Sequence, residues 1–287
     1  MSFSALSALI KSKLFKSTIK SILGVFVLAL VLGWSTPLVY SKPVAKPVLP
    51  EVKIIPEVLP PLVESQTGQV IPAEYLGRSV YFVRPRAKWM ALTFDDGPWG
   101  KTTLEVLDIL RKHQVKATFF VIGKHIEMYP KVLQQIHKEG HVIGNHTYSH
   151  RYRKMPAKVA QKEIDLVENQ LQKLIGQGSQ LFRPPGGRME NGLVRQAIKR
   201  NDSVVLWSVT TPDYLQKDRN QVIHDIQAGF KPGAIILLHD GGGDRSGTVA
   251  ALPTLIEAAH KQGYRFVTVP ELFQQMSQEE AALSDSQ

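Results

Sequence analysis

The sequence of 287 residues contains no cysteine. This absence excludes a disulfide framework, a thiol nucleophile and any metal site built from thiolates. The sequence also lacks GxGxxG and GxxxxGK[ST] stretches and shows no internal repeat, so it carries no nucleotide-binding motif. The lack of cysteine suits an exported protein.

The chain carries few acidic residues in its first third. The formal net charge is +10, of which residues 1–87 contribute +6 and residues 88–287 contribute +4. Because the excess of basic residues lies mainly in the N-terminal arm, the rest of the chain has no strongly basic composition. A nucleic-acid partner is therefore not expected, and no protein partner is implied.

The N-terminal arm has the pattern of a targeting segment. Four lysines between Lys11 and Lys20 precede the uninterrupted apolar run Ile22–Trp34, and uncharged residues continue to Ser41. A basic region followed by an apolar one predicts export, either as a cleaved signal peptide or as a retained membrane anchor. Both alternatives place the remainder of the chain outside the cytoplasm.

Composition divides the chain into four regions. Prolines recur every few residues after the apolar run, and a run of this kind is an extended, fairly stiff spacer. A polar stretch closes the chain and is expected to be frayed. We predict a signal peptide or anchor, a proline-rich linker, one globular domain and a polar tail, with the bounds 1–41, 42–79, 80–276 and 277–287.

The globular region alternates short apolar runs with helical patterns. The runs "ATFFVI" and "GAIILLH" are apolar on both faces, which is typical of parallel strands covered by helices. The repeated β-α units predict either an α/β barrel or an open doubly wound sheet. Predicted strands are 90–94, 117–122, 142–143, 204–209, 234–238 and 266–269; predicted helices are 103–113, 126–139, 156–175, 191–200, 219–228 and 249–262.

Polar clusters follow the predicted strands where parallel α/β folds place their chemistry. Asp95 and Asp96 end one strand, and His146 and His150 follow another. Imidazoles are the commonest metal ligands, yet two histidines alone fit a metal site and an ordinary polar loop equally well. A free carboxylate nearby favours the metal site, because catalytic zinc commonly takes three nitrogen or oxygen ligands. Either aspartate is a candidate for the third ligand, which leaves the other as a general base.

Five motifs, in this order and spacing, resemble those of the NodB-type polysaccharide deacetylases, carbohydrate esterase family 4. The resemblance covers roughly residues 88–272 and implies a distorted (β/α) barrel that removes acetyl groups from polysaccharides with a divalent metal. The motifs are "TFDDGP" (93–98), "HTYSH" (146–150), "RPPGG" (183–187), "WSVTTPDY" (207–214) and "LLH" (237–239).

The resemblance assigns roles to individual residues. It implies that Asp95 is the general base, held and kept ionised by Arg183, and that His239 is the general acid, oriented by Asp213. It further implies that the Gly186 N–H stabilises the oxyanion and that Leu237 lines the pocket for the acetyl methyl. The implied metal ligands are Asp96, His146 and His150.

Two positions depart from the family pattern. Gly186 stands where the third motif usually has tyrosine, so we expect a wall of the substrate groove to be missing. Tyr214 stands where the fourth motif usually has tryptophan, which reshapes the pocket. Among the other histidines, His141 is expected to be structural, and surface positions are expected for His113, His125, His137, His224 and His260.

The sequence therefore predicts an exported, metal-dependent deacetylase acting on an N-acetylated cell-wall polymer such as peptidoglycan or a chitin-like chain. Zinc is expected because the reaction is hydrolytic, although the same ligands suit cobalt, nickel or iron. An O-acetyl esterase is the alternative within the enzyme class. A membrane-tethered, non-catalytic glycan-binding protein on the same scaffold is the alternative outside it.

Overall fold

The computed structural model describes residues 70–215 and 218–285. Within these residues, no helix combines the length and apolar character needed to cross a bilayer. The predicted targeting segment and residues 42–69 of the predicted linker lie outside this part of the chain. The packed domain already includes residues before position 80, since Ile71 is only 5% exposed and Ser79–Val80 is paired in the sheet.

The centre of the domain is a sheet whose named strands pair in parallel. Its strand order is β1-β6-β5-β4-β3-β2-β8-β7, and β9 pairs with β2. The strands are β1 (Ser79–Val80), β2 (Trp89–Asp95), β3 (Thr118–Val121), β4 (Val142–Asn145), β5 (Leu181–Phe182), β6 (Ser203–Val205), β7 (Val209–Thr210), β8 (Ile235–His239) and β9 (Arg265–Val267).

Among residues 70–215 and 218–285, eight α-helices cover the sheet, as the strands that are apolar on both faces require. They are α1 (Gly100–Lys112), α2 (Gly123–Met128), α3 (Pro130–Lys138), α4 (Ala157–Ile175), α5 (Leu193–Lys199), α6 (Arg219–Ala228), α7 (Ser246–Lys261) and α8 (Val269–Ser284). Short 3-10 turns occur at Ala73–Tyr75 and Pro185–Gly187.

The sheet is curled, as the short connection between two strands near its opposite edges shows. The predicted strand 204–209 is in fact two strands, β6 and β7, which lie near opposite ends of the strand order. Only residues 206–208 separate them, and a peptide of that length spans roughly 14 Å at most. The two ends of the sheet are therefore close together, as in a barrel, which decides between the two predicted architectures.

Two further predictions fail for local reasons. The predicted helix 126–139 is broken between α2 and α3 because the proline ring of Pro130 disfavours helical backbone at Tyr129. The predicted polar tail is wrong for residues 277–284, which continue α8. Glu279 holds this end of the helix in place by accepting hydrogen bonds from the backbone N–H groups of Arg86, at 2.5 Å, and Ala87, at 3.2 Å.

Candidate active site

The polar residues predicted at strand ends meet at one edge of the sheet. Asp95 ends β2 and His239 ends β8, while His146, Arg183 and Asp213 follow β4, β5 and β7. All of these strands run in the same direction, so their carboxyl ends converge.

Asp96, His146 and His150 form a cluster suited to a metal ion. One potential ligand atom from each lies within 4.8 Å of the other two. Asp96 Oδ1 is 3.2 Å from His150 Nε2 and 3.7 Å from His146 Nε2. The same Oδ1 is buried and has no hydrogen-bond partner among the described residues. A buried carboxylate oxygen without a donor is costly, and a cation among these three groups removes that cost, so the residues fit a divalent metal.

The surroundings of His146 fix which of its nitrogens is free. Its Nδ1 lies 2.7 Å from the backbone carbonyl of Arg183, which only accepts, so Nδ1 carries the proton. Burial lowers the pKa of His146 to about 3, and the ring is neutral. Nε2 therefore presents its lone pair to the aspartates, which is the arrangement that metal-binding histidines use.

Left-handed backbone shapes this cluster. Asp96, Thr147 and His150 have φ values of +72°, +69° and +54°, which are uncommon for residues with side chains. Thr147 Oγ1 accepts a hydrogen bond from the His150 N–H at 3.1 Å, which supports the turn. These conformations cost free energy and persist where the surroundings impose them, often at functional sites. They turn Asp96 and His150 toward His146.

Arg183 crosses the interior of the barrel to reach Asp95. Its Nη1 donates to Asp95 Oδ1 at 2.7 Å and to the Thr93 hydroxyl at 2.8 Å. The guanidinium is fully buried and stacks on the Phe120 ring, with its Cζ 4.0 Å from the centroid. Burial raises the pKa of the Asp95 carboxyl, and the adjacent guanidinium opposes that effect by favouring the carboxylate.

His239 and Asp213 form a dyad on the other side of Asp95. Asp213 accepts from the His239 N–H at 2.8 Å and contacts His239 Nδ1 at 2.7 Å, and the Thr248 hydroxyl donates to Asp213 at 2.8 Å. Burial alone lowers the pKa of His239, but the hydrogen bond and charge of Asp213, together with the charges of the two neighbouring aspartates, outweigh it and raise the pKa. The dyad favours the imidazolium and leaves Nε2 as the remaining donor.

Sheet register places the candidate acid beside the candidate base. Asp95 and His239 are direct partners in the parallel pairing of β2 and β8, and neighbouring strands lie about 4.8 Å apart. Leu237 is 4% exposed and lies two residues before His239 in β8, so both side chains leave the same face of the strand.

Two tyrosines stand at this edge of the sheet. Tyr214, predicted to reshape the pocket, is 53% exposed and lies edge-on to His239, with the ring centroids 5.5 Å apart. Tyr152, which the motifs do not include, is 51% exposed and lies edge-on to His150 at 5.0 Å. Its ring covers Gly186, so the wall expected to be missing there is occupied by a different tyrosine.

Further residues surround the aspartates that sequence reasoning did not place in the site. His125 was predicted at the surface, but it is half-buried and its Nδ1 donates to the Asp96 carbonyl at 2.7 Å. Asp240 is fully buried, accepts from the Thr103 hydroxyl at 2.5 Å, and its own N–H donates to the Asp95 carbonyl at 3.1 Å. Burial raises the pKa of Asp240 to about 7. Only its position directly after His239 signalled a role.

The predicted structural role of His141 agrees with its surroundings. The residue is 2% exposed, and its Nδ1 accepts a hydrogen bond from the Ala117 N–H at 3.2 Å. Burial lowers the pKa of His141 to about 3, so the ring is neutral and its Nδ1 has a lone pair to accept with. His141 therefore joins the start of β4 to the start of β3.

Comparison with known proteins identifies relatives over most of the domain. Residues 83–205 match the family described as Polysaccharide deacetylase. A peptidoglycan-N-acetylglucosamine deacetylase of Bacillus cereus is 39% identical over 203 residues, covering 69% of this chain and 94% of the relative. The peptidoglycan-N-acetylmuramic acid deacetylase PdaC of Bacillus subtilis is 35% identical, but the match covers only 42% of that protein.

Solved structures show the same fold. The crystal structure of a peptidoglycan N-acetylglucosamine deacetylase matches with a TM-score of 0.67 and 36% identity, over 70% of this chain and 94% of that one. A pseudoenzyme of carbohydrate esterase family 4 from Bacillus anthracis matches with a TM-score of 0.64 and 27% identity, over 69% of each chain. The predicted distorted (β/α) barrel and the predicted family are both confirmed: the chain belongs to the polysaccharide deacetylase family.

Proposed function

We propose that the chain is a metal-dependent hydrolase that removes N-acetyl groups from a cell-wall polysaccharide and releases acetate. One observation carries the proposal. A three-ligand cluster, a carboxylate held by a buried guanidinium and a histidine–aspartate dyad converge at the same edge of the sheet. Hydrolysis of an amide needs these three functions together: an activated water, a base and an acid.

Asp96, His146 and His150 would hold the metal. At such a site a divalent cation supplies Lewis-acid polarisation of the acyl carbonyl and lowers the pKa of water. Three nitrogen and oxygen ligands suit zinc with a position left open, and zinc is the ion we propose. Cobalt, nickel and iron are accommodated by the same donor atoms.

The protein's own groups move the protons. Asp95 accepts a proton from the attacking water, whose oxygen bonds to the acyl carbon. His239 donates its Nε2 proton to the departing nitrogen as the carbon–nitrogen bond breaks, which leaves acetate and a free amine. Arg183 keeps the base in position and ionised, and Asp213 keeps the acid protonated.

Two further groups complete the acyl site in this proposal. The backbone N–H of Gly186 stabilises the developing oxyanion. The side chain of Leu237, two positions before His239 in β8, bounds the space for the acetyl methyl. Tyr214 borders the same site beside His239 and keeps an aromatic surface toward the substrate.

Peptidoglycan is the substrate that the relatives favour. The relatives named above act on N-acetylglucosamine or N-acetylmuramic acid of peptidoglycan according to their names. A chitin-like chain offers the same N-acetyl group. A bifunctional xylanase/deacetylase of Pseudobutyrivibrio xylanivorans, 38% identical over 196 residues, keeps O-acetyl polysaccharides as the alternative substrate class.

The non-catalytic alternative has a precedent among the structural neighbours, since some are pseudoenzymes. Loss of function on such a scaffold is expected to remove a ligand, the base or the acid. All of these groups are present, and each lies within 4 Å of another polar group of the site, which supports the enzyme. They are Asp95, Asp96, His146, His150 and His239.

The proposal includes a location outside the cytoplasm. The N-terminal segment 1–41 directs export, as a cleaved signal or as an anchor, and the proline-rich linker from residue 42 holds the catalytic domain away from the membrane. Support comes from the basic residues that precede the apolar run and from the N-acetylated polymer that we propose as substrate, which lies outside the cell membrane.

Acetate release tests the reaction and its substrate together. The full chain would be assayed with chitooligosaccharides, isolated peptidoglycan and acetylated xylan. We expect acetate from an N-acetylated substrate, and loss of at least about 10²-fold in kcat in Asp95→Asn, because the base is removed. Asp108→Asn, in α1 with a side chain that is 41% exposed, is the matched control and should retain full activity. Acetate from xylan alone would favour the esterase, and none from any substrate would contradict the enzyme.

A further inference from the structure

Tyr152 lies against Gly186, where a side chain would clash with the tyrosine ring in its present position. A Cβ atom added at position 186 would lie 2.7 Å from Tyr152 Cε1 and 3.1 Å from Cδ1, and its three nearest neighbours are all atoms of this ring. Gly186 also has a φ of +58°, which disfavours side chains. The tyrosine ring therefore occupies the space above the turn at Pro185–Gly187, and this placement depends on the glycine at position 186.

The same ring borders the metal-ligand cluster and faces solvent. It lies edge-on to His150, with an interplanar angle of 81° and centroids 5.0 Å apart. Tyr152 nevertheless remains 51% exposed. A tyrosine that only filled the core would be covered, whereas this one stays about half exposed beside the site.

Tyr214 occupies a comparable position beside the general acid, His239. It is 53% exposed and lies edge-on to His239 at 75°. Asp96 Oδ1 lies 3.2 Å from Nε2 of His150, the histidine beside Tyr152. Asp95 is the sheet partner of His239, the histidine beside Tyr214. A half-exposed aromatic ring thus stands beside the metal ligand and another beside the acid.

We propose that Tyr152 contacts the sugar ring of the substrate and is a specificity-determining residue of this deacetylase. The inference rests on the proposed function and names the group that binds the sugar next to the scissile acetamide. The chemistry fits a neutral N-acetylhexosamine unit, whose ring has apolar C–H faces for the tyrosine ring and hydroxyls for the phenol. Because Gly186 has no side chain, the Tyr152 ring can lie over the turn beside the site. The position of the ring therefore depends on both the turn and the loop after His150.

Steady-state kinetics on the full chain test this role. With N-acetylated chitotetraose, Tyr152→Ala is expected to raise KM about tenfold with a smaller change in kcat, the effect of losing a contact made in both ground and transition states. Tyr152→Phe should raise KM less, because it removes only the hydroxyl. Tyr264→Phe, a tyrosine before β9 at the opposite end of the strands, is the control and should leave KM unchanged. An unchanged KM in Tyr152→Ala, or a fall in kcat alone, would overturn the proposal.

Binding without turnover separates this proposal from the proposed function. Calorimetric titration of chitotetraose into Asp95→Asn, with and without Tyr152→Ala, should show an about tenfold weaker Kd when the ring is removed. If the wild type releases no acetate and this difference persists, the proposed function fails while the role of Tyr152 stands. Equal affinities, or no binding by Asp95→Asn, would contradict the role of Tyr152.

Moving the aromatic side chain from position 152 to position 186 provides a second test. The double variant Tyr152→Ala with Gly186→Tyr restores an aromatic ring after its nearest neighbour has been removed. We expect part of the lost affinity for chitotetraose to return, with thermal unfolding confirming that the variant folds. A folded double variant that binds no better than Tyr152→Ala would show that an aromatic ring at this place does not bind the sugar.

Discussion

Asp95 and Asp96 are adjacent in the chain, yet their carboxylates lie in different surroundings. Asp95 is 3% exposed and is paired with the guanidinium of Arg183. Asp96 has left-handed backbone, and its Oδ1 faces two imidazoles but accepts no hydrogen bond from the described part of the chain. The change of backbone at the end of β2 thus separates the proposed base from the proposed metal ligand.

Asp213 should control the alkaline limb of the pH–rate profile. Its hydrogen bond and charge raise the pKa of His239 against the effect of burial. Asp213→Asn is therefore expected to lower that pKa, so that the protonated acid is lost at lower pH and the alkaline limb of kcat/KM moves down by about one pH unit. The measurement is kcat/KM between pH 5 and 10. An alkaline limb that stays in place would show that His239 is not the group that titrates there.

Many residues of this site were predictable because they directly follow predicted strands. The aspartates, the histidines and Arg183 all follow apolar runs, and parallel strands bring such positions together. His125 and Tyr152 were not predictable, since one reaches the site from α2 and the other from a loop with left-handed backbone at His150. Contacts of this kind depend on loop conformation, which periodicity does not encode.

Some whole elements were predicted correctly because signals within their own sequence define them. The helix 219–228 was predicted at the bounds that the structure shows, and it begins at an N-cap in which Asp218 accepts from the Asn220 N–H. The separation of β6 from β7 was missed because residues 204–209 form one nearly continuous apolar run. That separation depends on pairing with distant strands, so the sequence of the segment does not reveal it.

The end of α8 should stabilise the domain through Glu279. Its carboxylate accepts from two backbone N–H groups just before β2 and from Gln275. We expect Glu279→Ala to lower the free energy of unfolding by about 1 kcal/mol. Glu280→Ala, at the exposed neighbouring position, should change it by less than about 0.5 kcal/mol. Urea unfolding of both variants is the measurement, and equal effects would mean that Glu279 does not hold the helix.

Buried acidic groups make the stability of the whole domain depend on pH. Asp202 is 3% exposed, and burial raises its pKa to about 7. The folded protein then binds this proton more tightly than the unfolded chain, whose aspartates titrate near pH 3.9. The contribution of Asp202 to the free energy of unfolding therefore falls as the pH rises from about 4 to about 7.

Asp202→Asn should remove that dependence. The variant's free energy of unfolding, relative to the wild type, is expected to be higher at pH 8 than at pH 5 by at least about 1 kcal/mol. Urea unfolding at the two pH values measures the difference, and Glu190→Gln, at an exposed position, is the control. A difference that is the same at both pH values would mean that Asp202 is ionised throughout this range.

The central claim is that Asp96, His146 and His150 hold a metal that deacetylation requires. The most direct test is to measure bound metal and acetate release in the same chelator-treated samples before and after zinc is added. We expect the wild type to lose and regain both together. His150→Ala should bind zinc at least about tenfold more weakly, whereas His224→Ala, 79% exposed in its side chain, should behave as the wild type. Full acetate release from metal-free protein, or unchanged zinc binding by His150→Ala, would contradict the account.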